Sequence, residues 1–198
     1  MDDVPPTDAA VRRPSEPRAR LLRTASSLFY REGIHGVGVD RVLAEAGVTR
    51  ATMYRHFPGK EALVIAYLEA EDATIKQLFA DAARPGTSPT GLLEAVIEGI
   101  ALDATRLHTR GCPFINASAE FPDADSPVRA VVRRHRDWFR ETLTGLATAA
   151  DVADPGQVAA ALVLLRDAML VGAYLDGESV AETFRAAARQ VAGLAVVE

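Results

Sequence analysis

Apolar residues recur at three- and four-residue steps along almost the whole chain, and this spacing limits the possible folds more than any other feature. Around residue 63, for example, Leu63, Tyr67, Ala70 and Leu78 would share one side of a helix. The alternation of apolar and polar residues that is typical of a half-buried strand is missing from the sequence, as are internal repeats. The pattern predicts an all-α protein of about nine helices joined by short loops.

The apolar stripes and the prolines and glycines between them place the predicted helices. They fall at residues 18–31, 39–46, 49–57, 60–83, 93–107, 115–121, 128–146, 158–173 and 180–194. The segment RPGTSPTG, residues 84–91, is predicted to be a linker.

Charge is unevenly distributed along the chain. Residues 12–60 contain ten Lys and Arg side chains against four Asp and Glu, a net charge of +6, although the whole protein carries −5. A basic segment within an acidic chain indicates a localised surface that binds anions.

Two further features of the sequence concern its compartment. Cys112 is the only cysteine, so an intrachain disulfide is excluded and a cytoplasmic location is expected. The first ten residues are acidic and contain proline, unlike a secretory signal, and Arg166 and Asp167 interrupt the longest apolar stretch. A membrane-spanning segment is therefore not expected.

Two of the predicted helices are only about two turns long and are joined by the sequence AGVT, residues 46–49. Gly47 permits the chain to reverse, and Thr49 suits the N-cap of the second short helix. Met53 and Phe57 lie four residues apart on that helix and would face the interior. With the helix that precedes them, these are the parts of a helix-turn-helix.

In such a motif the last helix enters the major groove of DNA by its first residues. If Met53 and Phe57 are buried, the other faces of the helix and the start of the next one are available for contact. Arginine can bind O6 and N7 of guanine with two donors, and an alanine can contact the methyl group of thymine. The predicted DNA-binding residues are Thr49, Arg50, Ala51, Thr52, Tyr54, Arg55, His56 and Lys60.

The stretch GVGVDRVLAEAGVTRATMYRHFPGKEAL, residues 36–63, resembles the DNA-binding domain of TetR-family transcriptional repressors. The glycine-valine turn, the YRHF end of the recognition helix and the lysine-glutamate pair that follows carry the resemblance, which covers residues 20–68. One departure is Gly38 and Val39, where the family usually has a threonine or serine that binds phosphate. That contact is then lost or made by a backbone amide.

The resemblance implies a homodimer whose last two helices form a four-helix bundle with those of the partner subunit. It also implies a pseudo-palindromic double-stranded DNA operator and a small-molecule effector that releases the repressor. By position, Arg50, Ala51 and Tyr54 would face bases, and the phosphates would be held by the remaining matched positions. These are Thr52, Arg55, His56 and Lys60.

The domain organisation follows from the motif and the linkers. Residues 1–16, rich in proline and without apolar periodicity, are predicted to be a mobile tail. Residues 17–60 would form the helix-turn-helix domain, and residues 61–198 the effector-binding and dimerisation domain.

The effector pocket is expected among the central helices and would take a mostly hydrophobic molecule. Scattered polar and aromatic residues in these helices are candidates for its wall. They are Thr105, His108, Cys112, Asn116, Trp138 and Met169, with Tyr174 as a further candidate.

Two rival sites use the same region. His108, Cys112, Asn116 and Glu120 would share one helical face, as a metal or thiol sensor requires, but Gly111 and Pro113 interrupt that helix. Metals and cofactors are therefore not predicted, whereas a redox response through Cys112 stays an alternative. A structural DNA-binding protein without an effector is another.

An enzyme using His108, Glu120 or His135 as a base is a third rival. The sequence contains none of the nucleophile-elbow, phosphate-loop or metal-site motifs, so enzymatic activity is not expected.

Charged residues of the later helices also need an explanation. The stripe Arg129, Arg133, Arg136 and Arg140 is expected to be an exposed face. Arg166 and Asp167 interrupt an apolar helix and need partners, which predicts an ion pair at the subunit interface or, as the alternative, a pocket contact.

Overall fold

The computed structural model describes residues 15–83 and 86–194, and within these ranges the chain is entirely helical apart from turns and loops. Nine α-helices follow one another, and one short π-helical segment, residues Asp103–Leu107, extends the fifth. The helices are α1 (Glu16–Glu32), α2 (Val39–Ala46), α3 (Arg50–His56), α4 (Lys60–Ala82), α5 (Pro89–Leu102), α6 (Pro113–Glu120), α7 (Pro127–Ala149), α8 (Pro155–Asp176) and α9 (Val180–Val191). The all-α class and the number of helices are confirmed.

Helices α1 to α3 form a small unit at the N-terminal end of the described chain. Helix α1 contributes a buried stripe that includes Leu21, Ala25 and Leu28, and both α2 and α3 pack against it. The helix begins two residues earlier than predicted because Pro17, in its first turn, has a backbone angle that suits a helix start. Of the predicted tail, residues 1–14 lie outside the described residues.

The turn between α2 and α3 has the local geometry that the sequence predicts. Gly47 lies in the left-handed region with φ of 60°, where a side chain would be strained, and the N–H of Val48 donates to the Leu43 carbonyl at 3.1 Å. The Thr49 hydroxyl accepts a hydrogen bond from the Thr52 N–H at 3.2 Å and so caps α3.

Helices α4 to α9 form the larger unit. Helix α4 connects the two units, because it packs against α1 of the small unit and against α7 of the larger unit. Helix α8 packs against both α7 and α9, and α5 lies against α7 and α9. The core of this unit includes Leu93, Ile97, Leu143, Leu162 and Leu170, all 2% exposed or less.

The fifth predicted helix is not one regular α-helix. It ends at Leu102 and continues as the π segment Asp103–Leu107, where the N–H of His108 donates to the Asp103 carbonyl at 2.7 Å. The Asp103 carboxylate also holds Nδ1 of the same histidine at 2.6 Å. This contact joins side chains five residues apart, and so favours the wider π-turn over an ordinary α-turn.

Helix α8 corrects the expectation that the described chain contains no segment of membrane-spanning length. By length and composition alone it could cross a membrane: the mean hydropathy of its most apolar window is 1.8, and the two charges at Arg166 and Asp167 do not disqualify it. One such helix is weak evidence for a membrane segment, because core helices of globular proteins share these properties. Here 39% of the window is buried within the protein.

The cap of α3 can be tested by substitution. We expect Thr49→Ala to lower the free energy of unfolding by about 1 kcal/mol, because the first turn of the helix loses the acceptor for the Thr52 N–H. Thr49→Ser keeps a hydroxyl in the same place and should retain most of the stability. Urea denaturation followed by circular dichroism measures both variants, and equal losses would contradict the role of the hydroxyl.

Candidate nucleic-acid interface and ligand cavity

One face of α3 is sealed against the core and the opposite face is open. Met53 is completely buried and Phe57, just after the helix, is 3% exposed. Ala51, Tyr54 and Arg55 lie on the open face, where Tyr54 is 48% exposed. The structure thus leaves uncovered the side of the helix that the sequence assigns to DNA.

Arg50 is exposed but not free. Its guanidinium forms an ion pair with Asp40 near the start of α2, while 55% of its side chain remains accessible. Because both partners are exposed, the pair contributes little to stability and can be exchanged for another partner. Arg55, in contrast, makes no ion pair with any residue that the structure describes.

The other predicted contact residues are hydrogen-bonded within the protein. The hydroxyls of Thr49 and Thr52 bond each other at 2.9 Å, and Nε2 of His56 lies 3.1 Å from the Ser15 hydroxyl. Lys60 Nζ reaches the His35 carbonyl at 3.5 Å, and partial burial lowers the pKa of this lysine. These contacts restrict the orientations of the four side chains.

Gly38 occupies the N-cap of α2 and provides no side-chain cap. The hydroxyl that the family usually has near this point is therefore absent, and only backbone amides are available at this helix start.

The C-terminal end of α6 is fastened to the loop between α1 and α2. The carboxylate of Glu120 accepts hydrogen bonds from the backbone N–H groups of Ile34, at 2.8 Å, and His35, at 2.5 Å. Gly33 has φ of +88°, and a Cβ there would approach the carboxylate to 3.5 Å. Sequence reasoning considered Glu120 only as a metal ligand or base, and the helical spacing gave no signal of this backbone contact.

Tyr30 forms a second link between the two units. Its hydroxyl donates to the Gly111 carbonyl at 3.1 Å and accepts from the Arg110 N–H at 2.7 Å. Burial raises the pKa of Tyr30 to about 12, so the hydroxyl stays protonated and can keep both roles. Helix α1 is thereby tied to the chain just before α6.

A partly buried cluster of charges lies beside this link. His108 Nδ1 is 2.6 Å from Asp103, its Nε2 is 3.3 Å from Glu71 on α4, and its ring stands edge-on to Tyr30. Burial alone would lower the pKa of His108, but the hydrogen bonds with Asp103 and Glu71 outweigh it and raise the pKa to about 9. The histidine is therefore a cation between two carboxylates at neutral pH.

Two adjoining cavities lie between α4, α5 and α7, and they share Phe79, Ala82 and Val96 as wall residues. The first has a volume of about 360 Å³ and is walled partly by Trp138. The second, of about 210 Å³, reaches the π segment at Asp103 and helix α8 at Arg166. Apolar cavities with a few polar groups are typical of small-molecule sites.

Of the predicted pocket residues, only Trp138 lines either cavity in the described part of the chain. The Thr105 hydroxyl donates to the Ala101 carbonyl, and Asn116 donates to the Arg110 carbonyl. Cys112 and Met169 are buried in packing, whereas Tyr174 is 54% exposed. The positions of these polar residues did not predict the residues that line the cavities. Thr105 and Asn116 instead form hydrogen bonds with backbone carbonyls at the α5–α6 junction.

Arg166 and Asp167 both have ion-pair partners within the chain. Asp167 pairs with Arg136 of α7 at 2.8 Å and with Arg166 at 3.1 Å. Arg166 is 6% exposed and reaches the second cavity, which favours the pocket alternative for this residue. The predicted arginine stripe is also engaged within the chain, since Arg129 and Arg133 donate to carbonyls of the α6–α7 loop and Arg140 lies 3.7 Å from Asp137.

The remaining candidate base, His135, is buried and stacked on Phe114 with ring centroids 3.8 Å apart. Burial lowers its pKa to about 4 despite the hydrogen bond with Asp72. His108, Glu120 and His135 each have separate structural partners. Among the residues described, no three His, Cys, Asp or Glu side chains are grouped closely enough to hold a metal ion.

Comparison with known proteins identifies the family. Residues 21–67 match the profile of the bacterial regulatory proteins of the tetR family, and residues 91–188 match the tetracyclin repressor-like C-terminal domain. The crystal structure of a TetR-family transcriptional regulator from Streptomyces coelicolor superimposes with a TM-score of 0.85 at 45% identity, over 90% of this chain and 95% of that one. The chain belongs to the TetR family of transcriptional regulators.

Other relatives agree with this TetR assignment. A regulator from Streptomyces avermitilis gives a TM-score of 0.76 at 26% identity, over 91% of this chain and all of that one. The HTH-type transcriptional regulator LmrA of Bacillus subtilis is 27% identical over 124 residues, which are 61% of this chain and 66% of LmrA. The match thus spans a little under two thirds of that relative. The protein is a DNA-binding transcriptional regulator with an N-terminal helix-turn-helix and a C-terminal helical domain.

The charged cluster around His108 makes stability depend on pH. The folded chain keeps this proton up to about pH 9, whereas the unfolded chain releases it near pH 6.5. The contribution is complete below pH 6.5 and is lost as the pH rises towards 9, by at most about 3 kcal/mol. Chemical denaturation of the wild type and of His108→Asn across this range should show the loss only in the wild type, and His56→Asn should behave like the wild type.

The Glu120 link can be tested by hydrogen exchange. We expect Glu120→Ala to speed exchange of the Ile34 and His35 amides by about tenfold or more, because these N–H groups lose their acceptor. Glu120→Gln keeps one carbonyl oxygen and should give a smaller change. Amides in the middle of α7 serve as the reference, and uniform acceleration throughout the chain would instead indicate general destabilisation.

Proposed function

We propose that this TetR-family regulator is a homodimeric repressor that binds operator DNA in the cytoplasm and leaves it when a small molecule occupies the ligand cavities. The observation that carries the proposal is the division of α3 into a buried face, with Met53 and Phe57, and an open face. A surface of this kind, next to a basic N-terminal segment, complements a nucleic acid groove.

On this proposal, Arg50, Ala51 and Tyr54 contact bases, while Thr52, Arg55, His56 and Lys60 hold phosphates. Arg50 exchanges Asp40 for a base edge when DNA arrives, and the exposed position of the ion pair supports this exchange. Thr49 contacts DNA in addition to capping α3 with its hydroxyl. Arg55, which is exposed, meets the DNA backbone.

Exposed apolar residues on α8 and α9 support the homodimer. Leu164 and Leu175 are 68% and 69% exposed, and Val171 is 39% exposed. A shallow apolar groove lined by Leu164, Leu165 and Val191 runs between the two helices. Covering this surface with the same surface of a second copy would form a four-helix bundle.

The dimer places two recognition helices on one duplex. They fit successive major grooves when they lie about 34 Å apart, and a pseudo-palindromic operator matches their twofold symmetry. Ligand binding favours a different spacing and so weakens binding without altering the contact residues. The links at Glu120 and Tyr30 support such coupling, because both join the helix-turn-helix unit to the chain around α6.

The two alternative regulators have less support. Cys112 is completely buried and its sulfur accepts a hydrogen bond from Arg166, so it acts as a packing group and not as an accessible redox sensor. The cavities between α4, α5 and α7 favour an effector over a purely structural DNA-binding role.

Operator binding tests the assignment of the contact residues. An operator is first selected from randomised duplexes with the wild-type protein. We then expect Arg50→Ala to lose preference at one base position, a loss of about 1–3 kcal/mol, because a bidentate contact disappears. Lys60→Ala should weaken binding to all sequences and reduce the slope of affinity against salt by about one.

The control for these variants is Arg134→Ala, which removes an exposed positive charge of α7 that pairs with Glu69, away from α3. Its operator affinity should equal that of the wild type. If Arg50→Ala and Lys60→Ala also bind like the wild type in fluorescence-anisotropy titrations, α3 is not the DNA-binding surface.

A further inference from the structure

The second cavity contains a buried positive charge in a mostly apolar wall. Arg166 is 6% exposed and reaches this cavity from α8, and Cζ of its guanidinium lies 5.6 Å from the ring centroid of Phe139. Burial of a charged group is unfavourable unless hydrogen bonds and an opposite charge compensate it. The partners of this guanidinium therefore decide what the cavity can bind.

The hydrogen bonds of Arg166 involve only one of its three nitrogens. Nη1 donates to Cys112 Sγ at 3.2 Å and to Asp167 Oδ1 at 3.1 Å. Nε and Nη2, which carry the other three donors of an arginine, have no hydrogen-bond partner among the residues described. The side chain therefore keeps unused donors at the edge of the cavity.

The charge of Arg166 is only partly compensated. Asp167 provides one negative charge, but its other oxygen lies 2.8 Å from Arg136, so one carboxylate serves two guanidinium groups. The three side chains together carry a net positive charge. A ligand with a negative group would complete this set.

The one acidic side chain of the cavity wall is already occupied. Asp103 is held by His108 Nδ1 at 2.6 Å and forms no ion pair with Arg166 within the described chain. The rest of the wall is mostly apolar and includes Ile75, Phe79, Val96, Ile100 and Phe139. An apolar chamber with one under-compensated cation favours a molecule with an apolar body and a single anionic end.

We propose that the second cavity binds a small amphipathic anion, with its carboxylate or an equivalent anionic oxygen group on Arg166 and its apolar body against Phe79 and Phe139. This proposal rests on the effector role proposed above and names the chemical class of the effector. The volume of about 210 Å³ limits the body to a short chain or a single ring system, unless it extends into the adjoining cavity.

The same guanidinium connects the cavity with α6. Cys112, which accepts one of its hydrogen bonds, is the N-cap residue of α6, and Glu120 at the other end of that helix holds the loop between α1 and α2. An anion bound to Nε or Nη2 of Arg166 would act on the same guanidinium whose Nη1 contacts the start of α6. Helix α6 therefore connects the cavity, through Cys112, with the helix-turn-helix unit, through Glu120.

The test compares three probes of the same length and different charge: octanoate, octanamide and octylammonium. Isothermal titration calorimetry with the full chain should give octanoate an affinity about tenfold or more above that of octanamide, with octylammonium the weakest. Arg166→Met should reduce octanoate affinity to that of octanamide. Arg134→Met, which removes an exposed charge of α7 that pairs with Glu69, should bind octanoate like the wild type.

A second pair of variants avoids disturbing the buried arginine. Gly99 lines the same cavity, and a Cβ atom added there meets no atom within 4 Å. Gly99→Asp should weaken octanoate binding and strengthen octylammonium binding through its negative charge. The matched Gly99→Asn, which has nearly the same size and no charge, should not shift the two affinities in opposite directions. Equal effects of the two variants, or octanamide binding as tightly as octanoate to the wild type, would overturn the proposal.

Operator binding, measured on the same samples, separates this proposal from the regulatory one. Release of the operator by octanamide or octylammonium, but not by octanoate, would overturn the anionic class and leave the effector-released repressor intact. A chain that discriminates octanoate as expected but binds no selected operator would support the anion site while overturning the DNA-binding role.

Discussion

Helix α3 has only seven residues, and a helix of that length is not stable alone in water. It forms because Met53 and Phe57 are buried beneath it and because Thr49 caps its first turn. The same burial fixes how the helix is rotated, so that Ala51, Tyr54 and Arg55 face outward. The packing that stabilises the helix is therefore also what presents its outer face.

Besides the packing of α1 against α4, hydrogen bonds from side chains of one unit to backbone groups of the other join the two units. Glu120 binds the N–H groups of Ile34 and His35, and Tyr30 binds the carbonyl of Gly111 and the N–H of Arg110. Side chains at the bonded positions can change without removing these bonds, provided that the backbone keeps its course. The connection is consequently sensitive to the position of α6 and of the chain before it.

The helices and the DNA-facing residues could be predicted because periodicity and caps are local properties. The α2–α3 turn needs Gly47 and Thr49, and both are visible in the sequence. The cavity wall could not be predicted in the same way. Thr105, Asn116 and Cys112 bond the backbone or Arg166, whereas Phe79 and Arg166 reach the cavity from helices far apart in sequence. Such contacts depend on how long helices pack, which spacing alone does not specify.

The π segment at Asp103–Leu107 contains one residue more than the same stretch of α-helix would need. Deleting a single residue there would give a continuous α-helix with almost the same helical content. The five-residue π-turn and a four-residue α-turn each take the chain about once around the helix axis, so the part after the deletion would keep nearly the same orientation. Loss of one codon would therefore narrow the turn between Asp103 and His108 without moving the histidine away from Glu71 and Tyr30, and the circular dichroism spectrum would be nearly unchanged.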